Sequence, residues 1–287
     1  MSVTLVTGTS SGIGLATVVH FAQPGHQVWA GGRNPDTATE LRDAIARERL
    51  AVRVVTLDVD DPASVQRGVA EIHEAAGRID VLVNNAGMGG GGPIEDVPVD
   101  WAQSLFQTNY FGVVRMIQAV LPGMRQRRHG AIVNVSSIAG RLAIAGHGHY
   151  SAVKHALEAM SEALAQEVQR FGVRVAIVEP GVVITPIFKK AQRFADPASP
   201  YFDHVRRLLL FYQKQMPRAA QPEDAARVIF EAATTNQPRV RWLVGDDARL
   251  LVAGRRRISD EDYVAGGREM SEADYLAEMQ RQYGFQW

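Results

Sequence analysis

The sequence predicts an α/β fold, a parallel sheet with helices on both faces, and three observations carry that prediction. Short apolar runs rich in β-formers alternate with helical stretches at the interval of strand–helix–strand units. The first run ends in a glycine-rich turn, Gly8 to Gly14, that opens straight into a helical pattern. Later runs end in small polar residues and glycines, and in open α/β sheets ligands bind at the carboxyl ends of the strands.

Val3 to Val6 is the first strand, stopped by Gly8, and Leu15 to Val19 continues the first helix. Strand, glycine loop and helix is the arrangement in which backbone N–H groups at a helix N-terminus receive a pyrophosphate. The spacing is Gly8-xxx-Gly12-x-Gly14, and a tight turn would need glycines as well. Gly8, Ser10 and Gly12 also spell the G-x-S-x-G elbow of serine hydrolases. An elbow takes part of its oxyanion hole from an earlier strand's loop, and only seven residues precede Gly8.

Gln27 to Gly31 is the second strand. A carboxylate at the end of this strand would bind the ribose hydroxyls of NAD, but Gly32 and Arg33 stand there instead. A carboxylate repels a 2′-phosphate, whereas a guanidinium binds one through paired hydrogen bonds. Arg33 therefore reads as a 2′-phosphate ligand, with a solvated loop charge as the plainer alternative. Asp36 to Arg49 is polar and helical, and Ala51 to Leu57 alternates as a strand before Asp58-Val59. Asp61 caps the next helix, with Pro62 at its first position. Ile79 to Val83 runs into Asn84-Asn85-Ala86-Gly87, and Gly89 to Gly92 reads as a mobile loop.

Trp101 to Arg127 reads as one long helix carrying Asn109, a polar residue among Leu105, Phe106, Val113 and Met116. Ala131 to Val135 is a strand that delivers Ser136-Ser137. A helix from Tyr150 follows, with Val153, Leu157, Met160, Leu164, Val168 and Phe171 as its buried stripe. Tyr150 and Lys154 are four apart and share a face. A lysine ammonium beside a tyrosine favours the phenolate and brings a group that titrates near 10 closer to neutral pH. By spacing alone the pair could equally be incidental. His147 and His149 precede this helix as loop residues that could also line a pocket. Val173 to Val178 is a strand ending in Glu179-Pro180-Gly181. Pro186 to Met216 is less regular, a candidate lid rich in aromatic and basic residues, and a packed helix or membrane-surface contact are its other readings. A capped helix starts at Gln221-Pro222-Glu223-Asp224, Val240 to Val244 is the last strand, and the polar tail from 246 holds a helix around Ser271 to Gln282.

Composition excludes several classes. Lys+Arg and Asp+Glu are 31 each, so no net charge points to nucleic acid or an acidic partner. The absence of cysteine removes disulfides, thiolate metal sites and a cysteine nucleophile, and no metal is expected. No apolar stretch reaches the roughly 18 residues of a membrane span, and the first residues carry no basic and apolar leader, so a cytoplasmic location is expected.

Taken together, Thr7-Gly8-xxx-Gly12-Ile13-Gly14, Asn84-Asn85-Ala86-Gly87, Asn109, Ser137, Tyr150-xxx-Lys154 and Pro180-Gly181-xxx-Thr185 resemble the short-chain dehydrogenase/reductase family over about residues 1–245. The resemblance implies a Rossmann-like doubly wound sheet of about seven strands, one dinucleotide-binding and catalytic domain over 1–245, and a homodimer or homotetramer. It implies that Tyr150 exchanges a proton with the substrate oxygen, that Lys154 lowers the tyrosine's pKa and binds the nicotinamide ribose, and that Ser137 hydrogen-bonds the reacting oxygen. Of the two adjacent serines, Ser137 matches, thirteen residues before Tyr150. Asn109 would support a water linking Lys154 to solvent. The cofactor would lie on Gly8, Ser10, Ser11, Gly12, Ile13 and Gly14, with Asp58 and Val59 at the adenine and Asn85, Ala86 and Gly87 near the ribose. Pro180, Val183 and Thr185 would hold the nicotinamide end. Arg33, with Ser11 as a second donor, resembles the basic residue of NADP-preferring members, so NADP(H) is expected, with NAD(H) as the alternative. Val28 to Asn34, Val114 to Ala119 and Phe211-Tyr212-Gln213 further resemble the hydroxysteroid and retinol dehydrogenase branch. The expected activity is hydride transfer to or from a secondary alcohol or ketone, with an apolar, steroid- or retinoid-like substrate. Small or acyl-chain ketones are an alternative. Sugar-nucleotide epimerases and dehydratases share Tyr-xxx-Lys but differ in glycine spacing, and a sensor that had lost catalysis would lack the tyrosine or lysine.

Overall fold

A computed structural model of the chain describes residues 2–23 and 25–287. The strands, in chain order, are β1 (Val3–Thr7), β2 (Gln27–Gly32), β3 (Val52–Thr56), β4 (Val81–Asn84), β5 (Gly90–Gly91), β6 (Gly130–Val135), β7 (Val173–Pro180), β8 (Gln192–Arg193) and β9 (Arg241–Val244). The helices are α1 (Gly12–Ala22), α2 (Thr39–Glu48), α3 (Pro62–Ala76), α4 (Val99–Phe106), α5 (Gly112–Arg127), α6 (Gly148–Val168), α7 (Ile187–Lys190), α8 (Phe202–Gln215), α9 (Pro222–Thr234), α10 (Asp246–Arg255), α11 (Asp260–Ala265) and α12 (Glu272–Tyr283).

Seven strands form one parallel sheet in the order β3-β2-β1-β4-β6-β7-β9. The order reverses between β1 and β4, which makes the carboxyl ends of these two strands the switch point where a doubly wound sheet opens a crevice. Every residue of β1, β4 and β6 is buried, as strands covered on both faces require. One core cluster lies with α3, α5 and α6, through Ile72, Met116, Met124, Leu157 and Leu164. The other lies with α1, α2 and α9, through Val18, Phe21, Leu41, Ala225 and Ile229.

Three stretches differ from the sequence expectation. Trp101 to Arg127 is not one regular helix, because α4 and α5 are joined by a π turn over Gln107–Phe111 that contains Asn109. Such turns re-aim the helix locally and recur at functional sites. The glycine tract is not a free loop, since Gly90–Gly91 pair in parallel with Gln192–Arg193. A Cβ on Gly92 would sit 2.6 Å from the Phe194 carbonyl oxygen, and one on Gly90 would strike the Gln192 backbone, so these glycines permit close backbone approach. Pro186 to Met216 contains the 14-residue helix α8. Its apolar residues pack on the C-terminal stretch, where Phe211, Leu251, Met279, Tyr283 and Phe285 form a third buried cluster.

Among the described residues no helix is long and apolar enough to cross a membrane.

Candidate active site

Strand ends, α1 and α8 enclose a cleft of about 850 Å³. Its inner edge is the turn after β1. Thr7 Oγ1 accepts hydrogen bonds from the Asn85 and Ala86 backbone N–H groups at 3.1 and 3.0 Å. Asn85 Nδ2 donates to the Thr7 and Gly8 carbonyls at 2.9 and 3.0 Å. The two central loops are thereby fastened together across the switch point. Gly8 sits at φ +71°, and a Cβ on it would lie 2.7 Å from Ala86 Cα. A Cβ on Gly14 would strike the Gly8 carbonyl and the Asn85 amide. These positions accept nothing larger than glycine.

α1 begins at Gly12 with no side chain capping it; the Ser11 hydroxyl makes no cap bond. The first backbone N–H groups of an α-helix lack internal partners and carry the positive end of its dipole, so this end suits a phosphate. Ser10, Ser11, Gly12 and Ile13 line the cleft there. Arg33 is exposed on its rim and makes no ion pair among the described residues. Asp58 is held by its N–H donating to Ser64 Oγ at 3.0 Å, and Val59 is buried beside it. This set, N–H, hydroxyl and guanidinium donors around a glycine cradle with the Asp58 carboxyl beside it, fits a dinucleotide.

At the other end stand Ser137, Tyr150 and Lys154. Ser137 follows β6 and accepts from the Ala139 N–H at 3.2 Å, which fixes its hydroxyl at the cleft. Its neighbour Ser136 is buried. Tyr150 and Lys154 lie on the first two turns of α6, with Lys154 Nζ 5.7 Å from the tyrosine ring centroid. Lys154 is buried and donates to the Val135 carbonyl at 3.0 Å. Burial pushes Tyr150 up to about 12, partly offset by a hydrogen bond with Ser137. Burial also pushes Lys154 down to about 8, and the Glu158 carboxylate opposes that fall. At neutral pH the pair is therefore phenol and ammonium, and burial is the larger influence on the tyrosine.

Asn109 is almost completely buried in the π turn, where its amide accepts from the Met88 N–H and donates to the Met88 carbonyl, both at 2.8 Å. It clamps the loop after β4. Pro180 ends β7; Val183 bridges to Ala220, and the Thr185 side chain packs against Gly12, linking the stretch after β7 to the glycine turn.

Comparison with known proteins matches residues 2–196 to the family model "short chain dehydrogenase". The chain belongs to the short-chain dehydrogenase family. It is 36% identical to the 3-ketodihydrosphingosine reductase of Bacteroides thetaiotaomicron over 251 residues, covering 87% of this chain and 90% of the other. It is 35% identical to human retinol dehydrogenase 8 over 250 residues, covering 83% and 79%. The crystal structure of a short-chain dehydrogenase from Streptomyces avermitilis superposes with a TM-score of 0.80 at 35% identity, covering 98% of this chain and 96% of that one. This short-chain dehydrogenase is therefore an NAD(P)-dependent oxidoreductase acting on CH–OH or carbonyl groups, on the sheet expected of its family.

The sequence-predicted residues all lie around this one cleft or directly behind its wall. Three others that hold it were not singled out. Thr7 stands at the start of the glycine motif, and its hydroxyl joins two loops. Asp247, in the stretch that read as a polar tail, accepts from the Val182 N–H at 2.7 Å and packs on Gly181. Tyr212 lines the cleft opposite His147. A polar residue next to an apolar strand end is the one signal that marks Thr7; Asp247 and Tyr212 depend on long-range packing.

Proposed function

We propose that the enzyme is an NADP(H)-dependent reductase of bulky, largely apolar ketones, with Tyr150 as the proton donor. The observation that carries this reading is the convergence of Ser137, Tyr150 and Lys154 at the cleft end walled by Ile187, Phe188, Leu208 and Phe211. When bound, the nicotinamide supplies the hydride to the carbonyl carbon. The chain supplies the rest. Ser137 donates a hydrogen bond to the carbonyl oxygen, where negative charge develops. Tyr150, a phenol at neutral pH, passes its proton to that oxygen. The Lys154 ammonium stabilises the phenolate that remains. Asn109 keeps the loop after β4 in place through Met88. Ser10 to Ile13 at the start of α1 would hold the phosphates, and Arg33 with Ser11 would hold a 2′-phosphate. Reduction is the direction proposed, with Tyr150 giving up its proton. The reductase relative from Bacteroides and a putative ketoacyl reductase from Streptomyces virginiae, 39% identical over 232 residues, support the same direction. A homodimer or homotetramer belongs to this reading as well.

Two measurements test it. Tyr150→Phe keeps the ring and its packing but removes the proton, so NADPH binding stays while single-turnover hydride transfer drops by about 10² to 10⁴. Hydride transfer within tenfold of wild type would remove Tyr150 from this role. Arg33→Ala gives up charge-assisted hydrogen bonds worth roughly 1.5–3 kcal/mol, so NADPH binds about tenfold or more weaker while NADH changes little. Equal loss for both cofactors in calorimetric titration would reduce Arg33 to a loop charge.

A further inference from the structure

Two polar side chains of the cleft have no task in the chemistry above. His147 precedes α6, and its imidazole lies flat against the Tyr150 ring, centroids 4.6 Å apart and planes 12° from parallel. Tyr212 on α8 faces it, with its hydroxyl 3.5 Å from His147 Nδ1, at the outer limit of a hydrogen bond. Both line the cleft beside Tyr150, next to the apolar Phe188, Leu208 and Phe211. Burial keeps the imidazole neutral down to about pH 4 and pushes the phenol up, so both are uncharged at physiological pH.

A neutral imidazole and a phenol hold two donors between them, and the single stretched contact uses one. The second donor and the phenol's remaining lone pairs make no other hydrogen bond among the described residues. In the open cleft, water meets them. A ketone flanked only by hydrocarbon would expel that water and strand the second donor, at about 1–3 kcal/mol for a buried group left unmet. Sites built this way discriminate strongly against a ligand that lacks the matching polar atom.

We infer that His147 and Tyr212 form a specificity site for a hydroxyl or amino group on the substrate, which is an amphiphilic ketone polar beside the carbonyl and apolar beyond it. The group lies near the carbonyl, because the imidazole stacks on the ring of Tyr150, with centroids 4.6 Å apart. The inference rests on the reading of Tyr150 as the residue that meets the carbonyl oxygen.

The test uses a matched pair of ketones: a long-chain 1-hydroxy-3-ketone and the same chain without the hydroxyl. NADPH consumption gives kcat/KM on each for wild type, His147→Phe and Tyr212→Phe. Wild type is expected to favour the hydroxyketone by tenfold or more, and each variant to bring that ratio down toward one. Tyr212→Phe keeps the ring among Phe188 and Phe211, so it stands as the deciding variant where His147→Phe does not fold. Ready turnover of both ketones by wild type at a ratio near one overturns this inference and leaves the catalytic reading intact. Equal losses on both ketones in Tyr212→Phe also overturn it. Turnover of neither ketone removes the catalytic reading, and this inference with it.

Discussion

Lys154 and Glu158 sit one helical turn apart, both buried, and their charges depend on each other. Glu158 accepts from Arg241 at 2.9 Å, Arg241 also reaches Glu179 at 3.1 Å and Glu162 at 2.7 Å, and Arg141 reaches Glu179 at 2.9 Å. Burial outweighs these partners and pushes Glu158 up to about 7. The lysine's ammonium is present below about 8 and lost above it, so reduction should fall as pH rises through that value. Glu158→Gln removes the negative charge that holds Lys154 up, and the alkaline limb of kcat/KM should move to lower pH. An alkaline limb unchanged by Glu158→Gln would disconnect the two. Stability gives an independent check. A carboxyl whose folded pKa is raised contributes stability that is complete below its unfolded value, near 4.5, and disappears as pH rises through the folded value. The fall in Tm of wild type between pH 5 and 8 should therefore flatten in Glu158→Gln.

At the scale of elements, α8 is the piece that sequence patterning located without resolving. Its aromatic surplus suggested an exposed surface, but Phe211 is 3% exposed and meets Phe285 and Trp287 edge to face at 5.5 and 6.4 Å. The C-terminal stretch covers most of that surface, and Leu209 remains 38% exposed at the cleft. Phe211→Ala should cost about 3–5 kcal/mol in denaturant unfolding, as buried aromatic truncations do. Leu209→Ala should leave stability nearly unchanged and raise KM for bulky ketones more than for small ones. If Leu209→Ala destabilises as strongly as Phe211→Ala, α8 is a core helix with no share in substrate binding. Strands β1, β4 and β6 were readable because they are buried on both faces and mostly apolar, with Thr4, Thr7, Asn84 and Asn134 as their polar members. The π turn was not readable, because Asn109 looks like any polar helix residue until Met88, 21 positions earlier, is folded against it. The pairing of Gly90–Gly91 with Gln192–Arg193 joins segments about a hundred residues apart, and no local pattern announces it.

At the scale of the molecule, the sequence disclosed the chemical half of the cleft better than the substrate half. Glycines at positive φ, a serine at a strand end and Tyr150-xxx-Lys154 are each local signals, and each stands where a strand or helix terminus must deliver it. The wall opposite is assembled from α8, α10 and α12, whose contacts depend on a hydrophobic cluster shared by three distant stretches. The family match ends at residue 196, before α8 begins at Phe202. Tyr150, Lys154, Ser137 and the glycine turn lie on one side of that boundary; Leu208, Phe211, Tyr212 and their C-terminal support lie on the other. The residues of the proposed reaction all lie on the length before the boundary, and the α8 part of the opposite wall lies on the length after it, while His147, Ile187 and Phe188 belong to the first. On the reading proposed above, a relative could inherit the first intact and exchange the second as a cassette, acquiring a new substrate without disturbing a single atom that moves the proton.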